Sequence, residues 1–191
     1  MKNLIAHPVV VLRLALLISL IIGQVVVVGA PAKPAHALTI ITQWTFESTT
    51  TPSTGSGTAS LIGGTTATFA TGTSGQAWNT TDYPAQNTNN KTAGVQFQIS
   101  TTGWQDIEFS FDIRHSNTSA NTIVVRYSTD GGSTFTDVAT YTVNAGNTWY
   151  TRTVDLSSYP AVNNISDLRV RVVAAFAPPT NTQYEMLFTA G

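Results

Sequence analysis

The sequence contains no cysteine and few charged residues, which make up 10% of its 191 positions. Without cysteine the chain has no disulfide, no thiolate metal site and no cysteine nucleophile. Disordered chains are usually rich in charge and poor in aromatic residues. This chain has 9% aromatic residues spread along its length, so the composition predicts a folded domain.

Basic residues are scarce as well. The first 37 residues carry three of the nine lysines and arginines and none of the ten acidic residues, so the remainder has a net charge of −4. Proteins that bind nucleic acid through its phosphates usually show basic patches interleaved with aromatic residues. No such stretch occurs in this sequence, which argues against a nucleic-acid partner.

The N-terminus has the features of a secretory signal peptide. Lys2 and Arg13 supply positive charge, and an apolar run with two interruptions extends from Leu14 to Ala30. Ala35-His36-Ala37 has the small-x-small form of a cleavage site, so cleavage before Leu38 is predicted. The alternative is an uncleaved membrane anchor, since about 17 apolar residues is near the lower limit for a span. Either leader predicts a domain that is secreted or held at the cell surface, and only the anchor would bring it to a membrane.

Alternation of apolar and polar residues marks most of the predicted strands. A turn at Asp130 to Ser133 is expected to lead into a returning strand near Thr134 to Val143. The clearest alternating segments are Val95 to Ile99, Ile107 to Ile113, Ile123 to Tyr127, Trp149 to Asp155 and Leu168 to Ala174.

Weaker patterns complete the predicted order of elements. A first strand is expected near Leu38 to Phe46, and Gly63-Gly64 is expected to join Ala59–Ile62 to Ala67–Ala70 in a short hairpin. Gly72 to Asn90 shows no periodicity and is predicted to be a long loop, of a kind that is often functional. No stretch after the leader has a 3.6-residue period. Residues 38–191 are therefore predicted to form one all-β domain, an antiparallel β-sandwich or jelly roll.

Four segments of the sequence carry a family resemblance: Ile41–Glu47, Ile107–Asn117, Val125–Phe135, and Thr153–Ser157 followed by Leu168–Arg171. Through them the chain from about residue 40 to 176 resembles a class of bacterial exported jelly-roll domains that look like lectins and carbohydrate-binding modules. Such domains occur in PEP-CTERM-type surface proteins and beside extracellular nuclease or phosphatase domains. The resemblance implies a sandwich fold and export, and it leaves the function open because this fold hosts many roles.

The C-terminal end departs from that family pattern. Similar domains usually end with one more strand that carries an aromatic residue and an Asp, whereas here the sequence ends with Met186–Gly191. Two forms of the domain stay open: a complete sandwich, and a sandwich lacking its final strand. The second form would leave an open sheet edge near Phe188.

A candidate ligand-binding site lies in the predicted long loop, where Trp78 and Tyr83 stand beside Asn79 and Asp82. Exposed aromatic rings bind the apolar faces of sugars while nearby polar groups bind the hydroxyls, so these residues could form a polysaccharide platform. The favoured alternative is that the two aromatic side chains hold the loop against the sandwich. Among the other tryptophans, Trp44 is assigned to the core, and Trp104 and Trp149 fit either role.

The turn after the sixth predicted strand carries a recognisable motif. Ser128-x-Asp130-x-Gly132-x-Thr134-Phe135 matches the Asp-box pattern of sialidases and other β-rich proteins, with Phe in the usual Trp position. Asp130 is expected to accept hydrogen bonds from turn N–H groups, and Gly132 to supply a positive φ. The motif usually fastens a hairpin away from any active site, so a structural role is predicted.

The family resemblance adds one candidate metal ligand. In similar jelly rolls an acidic residue after the first strand, here Glu47, helps to hold a structural calcium ion together with an Asp on the final strand. Oxygen ligands suit calcium. The C-terminal segment contains no Asp that could act as this second ligand. The sequence therefore allows a structural calcium ion without requiring one, and no other cofactor is predicted.

Three carboxylates near the fifth predicted strand suggest an enzymatic alternative. Asp106, Glu108 and Asp112 are expected on one strand face, and residues two apart lie about 6.6 Å apart, which leaves room for a water between two acids. The spacing does not match the motif of laminarinase-type jelly-roll glycosidases. Arg114 and Arg126 are available as cross-strand partners, which favours a solvated charge ladder.

His115 is the only histidine after the leader, so no second histidine exists for a zinc site. No nucleophile-elbow motif of the G-x-S-x-G form accompanies it. We expect His115 to be a surface or turn residue at a strand end.

These observations leave three hypotheses for function. The leading one is a non-catalytic exported binding or surface-structural domain that contacts polysaccharide or extracellular matrix. The second is a glycan-degrading hydrolase that uses Asp106 and Glu108, and the third is an accessory fragment of a longer secreted enzyme. A binder predicts a row of exposed aromatic residues on one face, and an enzyme predicts a cleft with two carboxylates unpaired with arginine.

Overall fold

The computed structural model describes residues 38–85, 87–142, 146–175 and 186–189. The predicted leader lies outside these residues. Within the described ranges, no helix has the length and apolar character of a membrane span. The strands are β1 (Gly57–Ile62), β2 (Thr66–Thr71), β3 (Gln76–Thr81), β4 (Gly94–Ile99), β5 (Glu108–His115), β6 (Thr122–Ser128), β7 (Thr136–Thr142), β8 (Trp149–Asp155), β9 (Leu168–Ala175) and β10 (Met186–Thr189), with a short 3₁₀ helix at Pro160–Val162.

The strands form two five-stranded antiparallel sheets. Sheet 1 has the order β1-β4-β9-β6-β7, and sheet 2 has the order β2-β3-β10-β5-β8. Consecutive strands pair in β6–β7 of sheet 1 and in β2–β3 of sheet 2, and the other pairings among the described strands join strands distant in sequence. The architecture is the antiparallel β-sandwich predicted from the alternation.

The inner faces of both sheets meet in one hydrophobic core. Val95 and Phe97 of β4 pack in the same cluster as Phe111 and Ile113 of β5, and the rings of Phe97 and Phe109 are 5.6 Å apart between centroids. Because side chains alternate along a strand, the residues between these point away from the core. The predicted apolar rows of β4, β5, β6 and β9 are confirmed as the inward-facing ones.

The predicted first strand is wrong. The segment from Leu38 to Phe46 forms one isolated bridge, between Gln43 and Thr54, and Phe46 has a φ of +56° that no strand residue adopts. Trp44 and Phe46 are nevertheless buried, and Phe46 stacks on Trp78 at 5.2 Å. The alternation was therefore a signal of burial, while the backbone between the two aromatic residues is irregular.

The predicted hairpin around Gly63-Gly64 is wrong as well. Strand β1 pairs with β4 in sheet 1, while β2 pairs with β3 in sheet 2. The two glycines, both at positive φ, turn the chain from one sheet into the other. A tight glycine turn between two short apolar runs is compatible with either arrangement, and the long-range pairing decides between them.

The predicted long loop from Gly72 to Asn90 contains strand β3. Its sequence Gln-Ala-Trp-Asn-Thr-Thr has no aliphatic row, which explains why alternation did not reveal it. Strand β3 pairs with β2 on one side and with β10 on the other.

Strand β10 argues against the alternative in which the sandwich lacks its final strand and leaves an open edge near Phe188. It lies between β3 and β5 and pairs with both, so Phe188 has Trp78 opposite it on one side and Ile113 on the other. The last described strand is thus interior to sheet 2.

Candidate functional site

The predicted sugar platform does not form, because its two aromatic residues are buried. Trp78 is 5% exposed on β3, and its ring faces Phe46 in the core. Tyr83 is 9% exposed, its hydroxyl lies 2.8 Å from Thr80 Oγ1, and burial raises the pKa of its phenol. The favoured alternative, in which both rings pack against the sandwich, agrees with this placement.

The two polar residues of that predicted site, Asn79 and Asp82, do not form a common site with the two buried aromatic rings. Asn79 follows Trp78 on the strand and therefore points to the opposite face of the sheet. Asp82 is exposed at a φ of +59° and accepts a hydrogen bond from Thr66 Oγ1, which closes the end of the β2–β3 pair. Asn79 remains a candidate binding residue, on a surface different from the predicted one.

A row of cross-strand neighbours on the outer face of sheet 2 ends at Trp149, and we call this surface the Trp149 face. Cross-strand pairing places Thr68 opposite Asn79, Asn79 opposite Leu187, Leu187 opposite Arg114, and Arg114 opposite Trp149. Four strand spacings of about 4.8 Å give this row a length of about 19 Å. Trp149 is half-buried, and the Arg114 guanidinium carbon lies 5.5 Å from its ring centroid.

Hydroxyl and carboxylate groups flank this row along β5 and β8. Thr151 Oγ1 donates to Asp112 Oδ1 at 2.5 Å, and the hydroxyls of Ser110 and Thr153 are 3.2 Å apart. Asn79 Oδ1 and Arg114 Nε are buried and have no hydrogen-bond partner among the described residues. The Trp149 face thus combines one aromatic ring with hydroxyl, amide, carboxylate and guanidinium groups on a sheet surface.

The outer face of sheet 1 has a different character, and we call it the arginine face. One row across all five strands consists of Ser60, Gln96, Arg171, Arg126 and Asp137. The Arg171 guanidinium carbon lies 3.7 Å from the Phe135 ring centroid, and Arg171 Nε donates to Gln96 Oε1 at 2.8 Å. This face presents cations where the Trp149 face presents mainly neutral groups.

Acidic side chains neutralise part of the arginine face. Asp137 accepts from Arg126 Nε at 2.7 Å and also pairs with Lys91, and Asp167 pairs with Arg169 at 3.1 Å. Burial acts to raise the pKa of Asp137, but the hydrogen bond from Lys91 and the charges of Arg126 and Lys91 hold it below its ordinary value. Arg171 has no carboxylate partner among the described residues.

Comparison with known proteins gives structural likenesses and no family. No protein-family model matches the chain, and no curated protein matches its sequence.

Solved structures that align with it include a xylan-binding domain of carbohydrate-binding module family 22, with 16% identity, a TM-score of 0.46 and coverage of 69% of this chain and 83% of that one. A family 11 carbohydrate-binding module from Clostridium thermocellum, in complex with a β-1,3-1,4-mixed-linked tetrasaccharide, aligns with 15% identity, a TM-score of 0.48 and coverage of 78% and 91%. The K2 cleaved adhesin domain of Lys-gingipain aligns with 14% identity, a TM-score of 0.41 and coverage of 63% and 73%. These identities and scores are too low to carry a ligand or an activity from those proteins to this chain.

The predicted acidic pair does not share a strand face. Asp106 precedes β5 at a φ of +55°, so the alternation that would align it with Glu108 does not reach it. Glu108 instead lies opposite Asp155 of β8. Arg126 belongs to the other sheet, so it is not the cross-strand partner predicted for these acids.

Glu47 has a protein partner in the structure. Its Oε1 accepts a hydrogen bond from the Gln76 backbone N–H at 3.0 Å, and a Cβ at Gly75 would lie 1.9 Å from the same oxygen. The carboxylate therefore fastens the turn that enters β3. In the part of the chain that the structure describes, no group of three or more carboxylates and histidines comes together as a metal site. Calcium at Glu47 stays a prediction.

The Asp-box turn has the geometry predicted for a hairpin fastener. Asp130 Oδ1 accepts from the backbone N–H groups of Ser133 and Thr134, both at 3.0 Å, and Oδ2 accepts from Thr134 Oγ1 at 2.5 Å. These hydrogen bonds, with Thr134 contributing most, lower the pKa of Asp130 well below its ordinary value. Gly132 has a φ of +87°, and a Cβ there would lie 2.8 Å from Arg169 Nη1. The turn consequently packs against the arginine face.

The prediction that His115 lies at the surface is wrong. The residue is fully buried at the end of β5, and its Nδ1 lies 2.7 Å from the Ala120 carbonyl oxygen. Nδ1 must carry the proton to make this hydrogen bond, so Nε2 is an acceptor, and it has no partner among the described residues. Burial lowers the pKa of His115, and the nearby Arg152 charge acts in the same direction.

Arg152 is a charged residue that packs on the inner side of the sandwich. It points inward from β8, between the rings of Tyr141 at 4.8 Å and Tyr150 at 4.9 Å. Tyr141 belongs to β7, an edge strand of sheet 1, and its hydroxyl donates to the Thr153 carbonyl oxygen at 3.0 Å. The edge strands β7 and β8 are thus joined by a tyrosine–arginine stack, which accounts for an arginine on the inner face.

Sequence reasoning missed Trp149, Arg114 and Arg171 as a site because their neighbours come from distant strands. Trp149 was left open between core and surface, and Arg114 was considered only as a partner for acids. The available signal was that Arg169 and Arg171 occupy the polar positions of a strand whose apolar positions are buried.

Proposed function

We propose that the chain is a non-catalytic, exported module that binds polysaccharide through the Trp149 face. The supporting observation is the single cross-strand row in which a half-buried tryptophan, a guanidinium and an amide lie on one line across sheet 2. Export rests on the predicted signal peptide in the first 37 residues.

The ring of Trp149 supplies the apolar part of such a site. The C–H groups of a sugar ring form an apolar face, which gains from contact with an aromatic surface much as other apolar groups do. Trp149 lies on an edge strand of sheet 2, where one side of the ring contacts Arg114 and the residue keeps a share of its surface open.

The neighbouring groups supply the polar part. Asp112 offers acceptors, the Asn79 amide nitrogen and the Arg114 guanidinium offer donors, and Thr151 and Ser110 can act as either. A sugar presents donors and acceptors around its ring, so an array of this kind can satisfy several hydroxyls at once. The length of the row, about 19 Å, suits an extended chain lying across the strands better than a single small ligand.

The hydrolase alternative gains no support from the arrangement of the acids. A glycosidase needs two carboxylates placed on either side of the scissile bond. Asp106 lies outside β5 in a left-handed conformation, and Asp112 is already engaged by Thr151. We therefore carry only the binding function forward.

Substitution of Trp149 by alanine tests the proposal. Trp149→Ala should lower the affinity for the polysaccharide that the wild-type domain binds by about tenfold or more, because a central aromatic anchor typically contributes at least that much. Affinity electrophoresis against xylan, mixed-linked β-glucan and galactomannan identifies the ligand, and calorimetry measures the loss.

Trp104→Ala is the matched control, because Trp104 is the more exposed tryptophan, at 40%, and lies in the β4–β5 connection. The control should bind like the wild type. Equal binding by Trp149→Ala and wild type, or a larger loss in Trp104→Ala, would remove the Trp149 face from the proposal.

A further inference from the structure

Positive charge is concentrated on the arginine face to a degree that the composition does not suggest. Six lysines and arginines follow the leader, and four of them, Lys91, Arg126, Arg169 and Arg171, lie on or beside this face. Asp137 and Asp167 pair with Lys91, Arg126 and Arg169, which leaves Arg171 without a carboxylate partner among the described residues. The same part of the chain carries a net charge of −4, so this face opposes the sign of the whole.

The pairing of Arg126 with Arg171 is costly. They lie directly opposite each other on neighbouring strands, and like charges in that position are destabilising. Burial lowers the pKa of the Arg171 guanidinium, and the charges of Arg126 and Arg169 lower it further. A sheet that only needed solubility could carry threonine at these positions, as the outer face of sheet 2 largely does.

The fold holds Arg171 in a defined orientation. Its guanidinium lies flat against the Phe135 ring at 3.7 Å, and its Nε is fixed by Gln96 Oε1. Phe135 occupies the aromatic position of the Asp-box motif, so the turn built by Asp130 also positions the ring beneath the guanidinium. The two Nη groups are not engaged by any hydrogen bond or carboxylate that the described residues provide.

We propose that the arginine face is a second binding site, which takes a carboxylate-bearing polysaccharide, with Arg171 as its anchor. A guanidinium whose Nε is already fixed presents its outer pair of nitrogens to a carboxylate in the two-bond geometry that arginine favours. Arg126 stands beside it, and Arg169 lies two residues along β9, about 6.6 Å away by strand rise. Uronate residues in one chain can therefore meet more than one cation.

The charge of the face favours this ligand over nucleic acid. Affinity for a duplex depends on neutralising many phosphates at once. Four cations, three of them paired with carboxylates, on a domain of net charge −4 provide few such contacts. A polysaccharide with one carboxylate per sugar has a lower charge density, and its hydroxyls can bond to Gln98 and Ser60 on the same face.

The experiment measures binding of the intact domain to polygalacturonate by calorimetry in calcium-free buffer over a range of salt concentrations. Wild type should bind, and its affinity should fall as salt rises. Arg171→Gln should lower the affinity about tenfold or more, and Arg171→Lys, which keeps the charge without the two-bond geometry, should lower it by less. Arg152→Gln removes one charge from the inner face of sheet 2, away from the arginine face, and should stay within about twofold of the wild type, with folding of each variant verified by circular dichroism.

Three results would overturn the inference. The first is no binding to polygalacturonate at low salt, and the second is equal affinity of Arg171→Gln and Arg152→Gln. The third is tighter binding to duplex DNA or dextran sulfate than to polygalacturonate, which would make the face a general anion surface. Trp149→Ala should bind polygalacturonate like the wild type. The proposals for the Trp149 face and for the arginine face can therefore be refuted separately.

Discussion

His115 shows how one residue can join the core while retaining a titratable group. Its protonated Nδ1 donates to the Ala120 carbonyl, and burial together with the Arg152 charge lowers the pKa of the ring, which favours its neutral form. An unfolded histidine takes up a proton near pH 6.5, whereas the buried one resists it. Folding therefore competes with protonation at this residue.

The domain should lose stability as the pH falls below about 6.5. Between the unfolded pKa and the lowered folded pKa the unfolded chain binds one proton more, so the free energy of unfolding should fall by up to about 1.4 kcal/mol per pH unit. Below the folded pKa the histidine is protonated in both the folded and the unfolded chain, so it no longer makes the free energy of unfolding depend on pH. Urea unfolding monitored by tryptophan fluorescence between pH 8 and pH 5 measures the slope.

His115→Asn provides the control for that slope, because it keeps a donor near the Ala120 carbonyl and cannot be protonated. The variant should be less stable overall, since it leaves unfilled volume in the core, and its stability should be flatter over this pH range. A variant with the wild-type slope would show that another group is responsible.

At the level of elements, the β6–β7 hairpin depends on the Asp-box turn. Asp130→Asn replaces Oδ2 by an NH₂ group that cannot accept from Thr134 Oγ1, and its neutral Oδ1 accepts from the Ser133 and Thr134 N–H groups more weakly than a carboxylate does. The turn should therefore loosen and the thermal midpoint should fall. Because the folded pKa of Asp130 lies below its ordinary value of 3.8, its contribution is present above that pH and is lost as the pH falls through the folded value.

Hydrogen exchange at the Ser133 and Thr134 amides should accelerate in Asp130→Asn, while Thr129→Ala, an exposed neighbour in the same turn, should exchange like the wild type. Unchanged protection in Asp130→Asn would mean that the hairpin holds without its side-chain bonds.

The strands that sequence could predict are those whose apolar row is regular. Val95, Phe97 and Ile99 mark β4 without knowledge of any partner, and the Asp-box turn is likewise local, with all its bonds within seven residues. Strand β3 was missed because its inward residues include a tryptophan and a threonine in a polar run. The interior position of β10 follows from pairing with β3 and β5, which no local pattern encodes.

The candidate sites were harder to predict than the strands. Arg126 and Arg171 become neighbours only through the register of β6 with β9, and Asn79 reaches the line of Trp149 only through β10. Burial removes Trp78 from the candidate surface, since its ring packs in the core as the favoured alternative predicted, while Trp149, which fitted either role, keeps part of its surface open. The type of a side chain indicates which ligands it can bind, whereas the strand register determines which residues lie beside it on the sheet face.

For the whole molecule, the sandwich works as a rigid support with two chemically distinct outer faces. The core joins both sheets, and the edge strands β7 and β8 are linked by the Tyr141 and Arg152 contacts. Sheet 2 presents tryptophan with hydroxyl and amide groups, and sheet 1 presents arginines. Such a support suits recognition of an extended polymer, because side chains on sheet faces are held in fixed positions.

The central claim is that polysaccharide lies on the outer face of sheet 2. A titration of the ¹⁵N-labelled domain with an oligosaccharide of the polysaccharide it binds, followed by amide and indole chemical shifts, tests it most directly. The account predicts that the largest shifts occur at Trp149, Arg114 and Asn79 and that the Trp104 indole is unaffected. Shifts centred on Trp104, or scattered without preference for sheet 2, would contradict it.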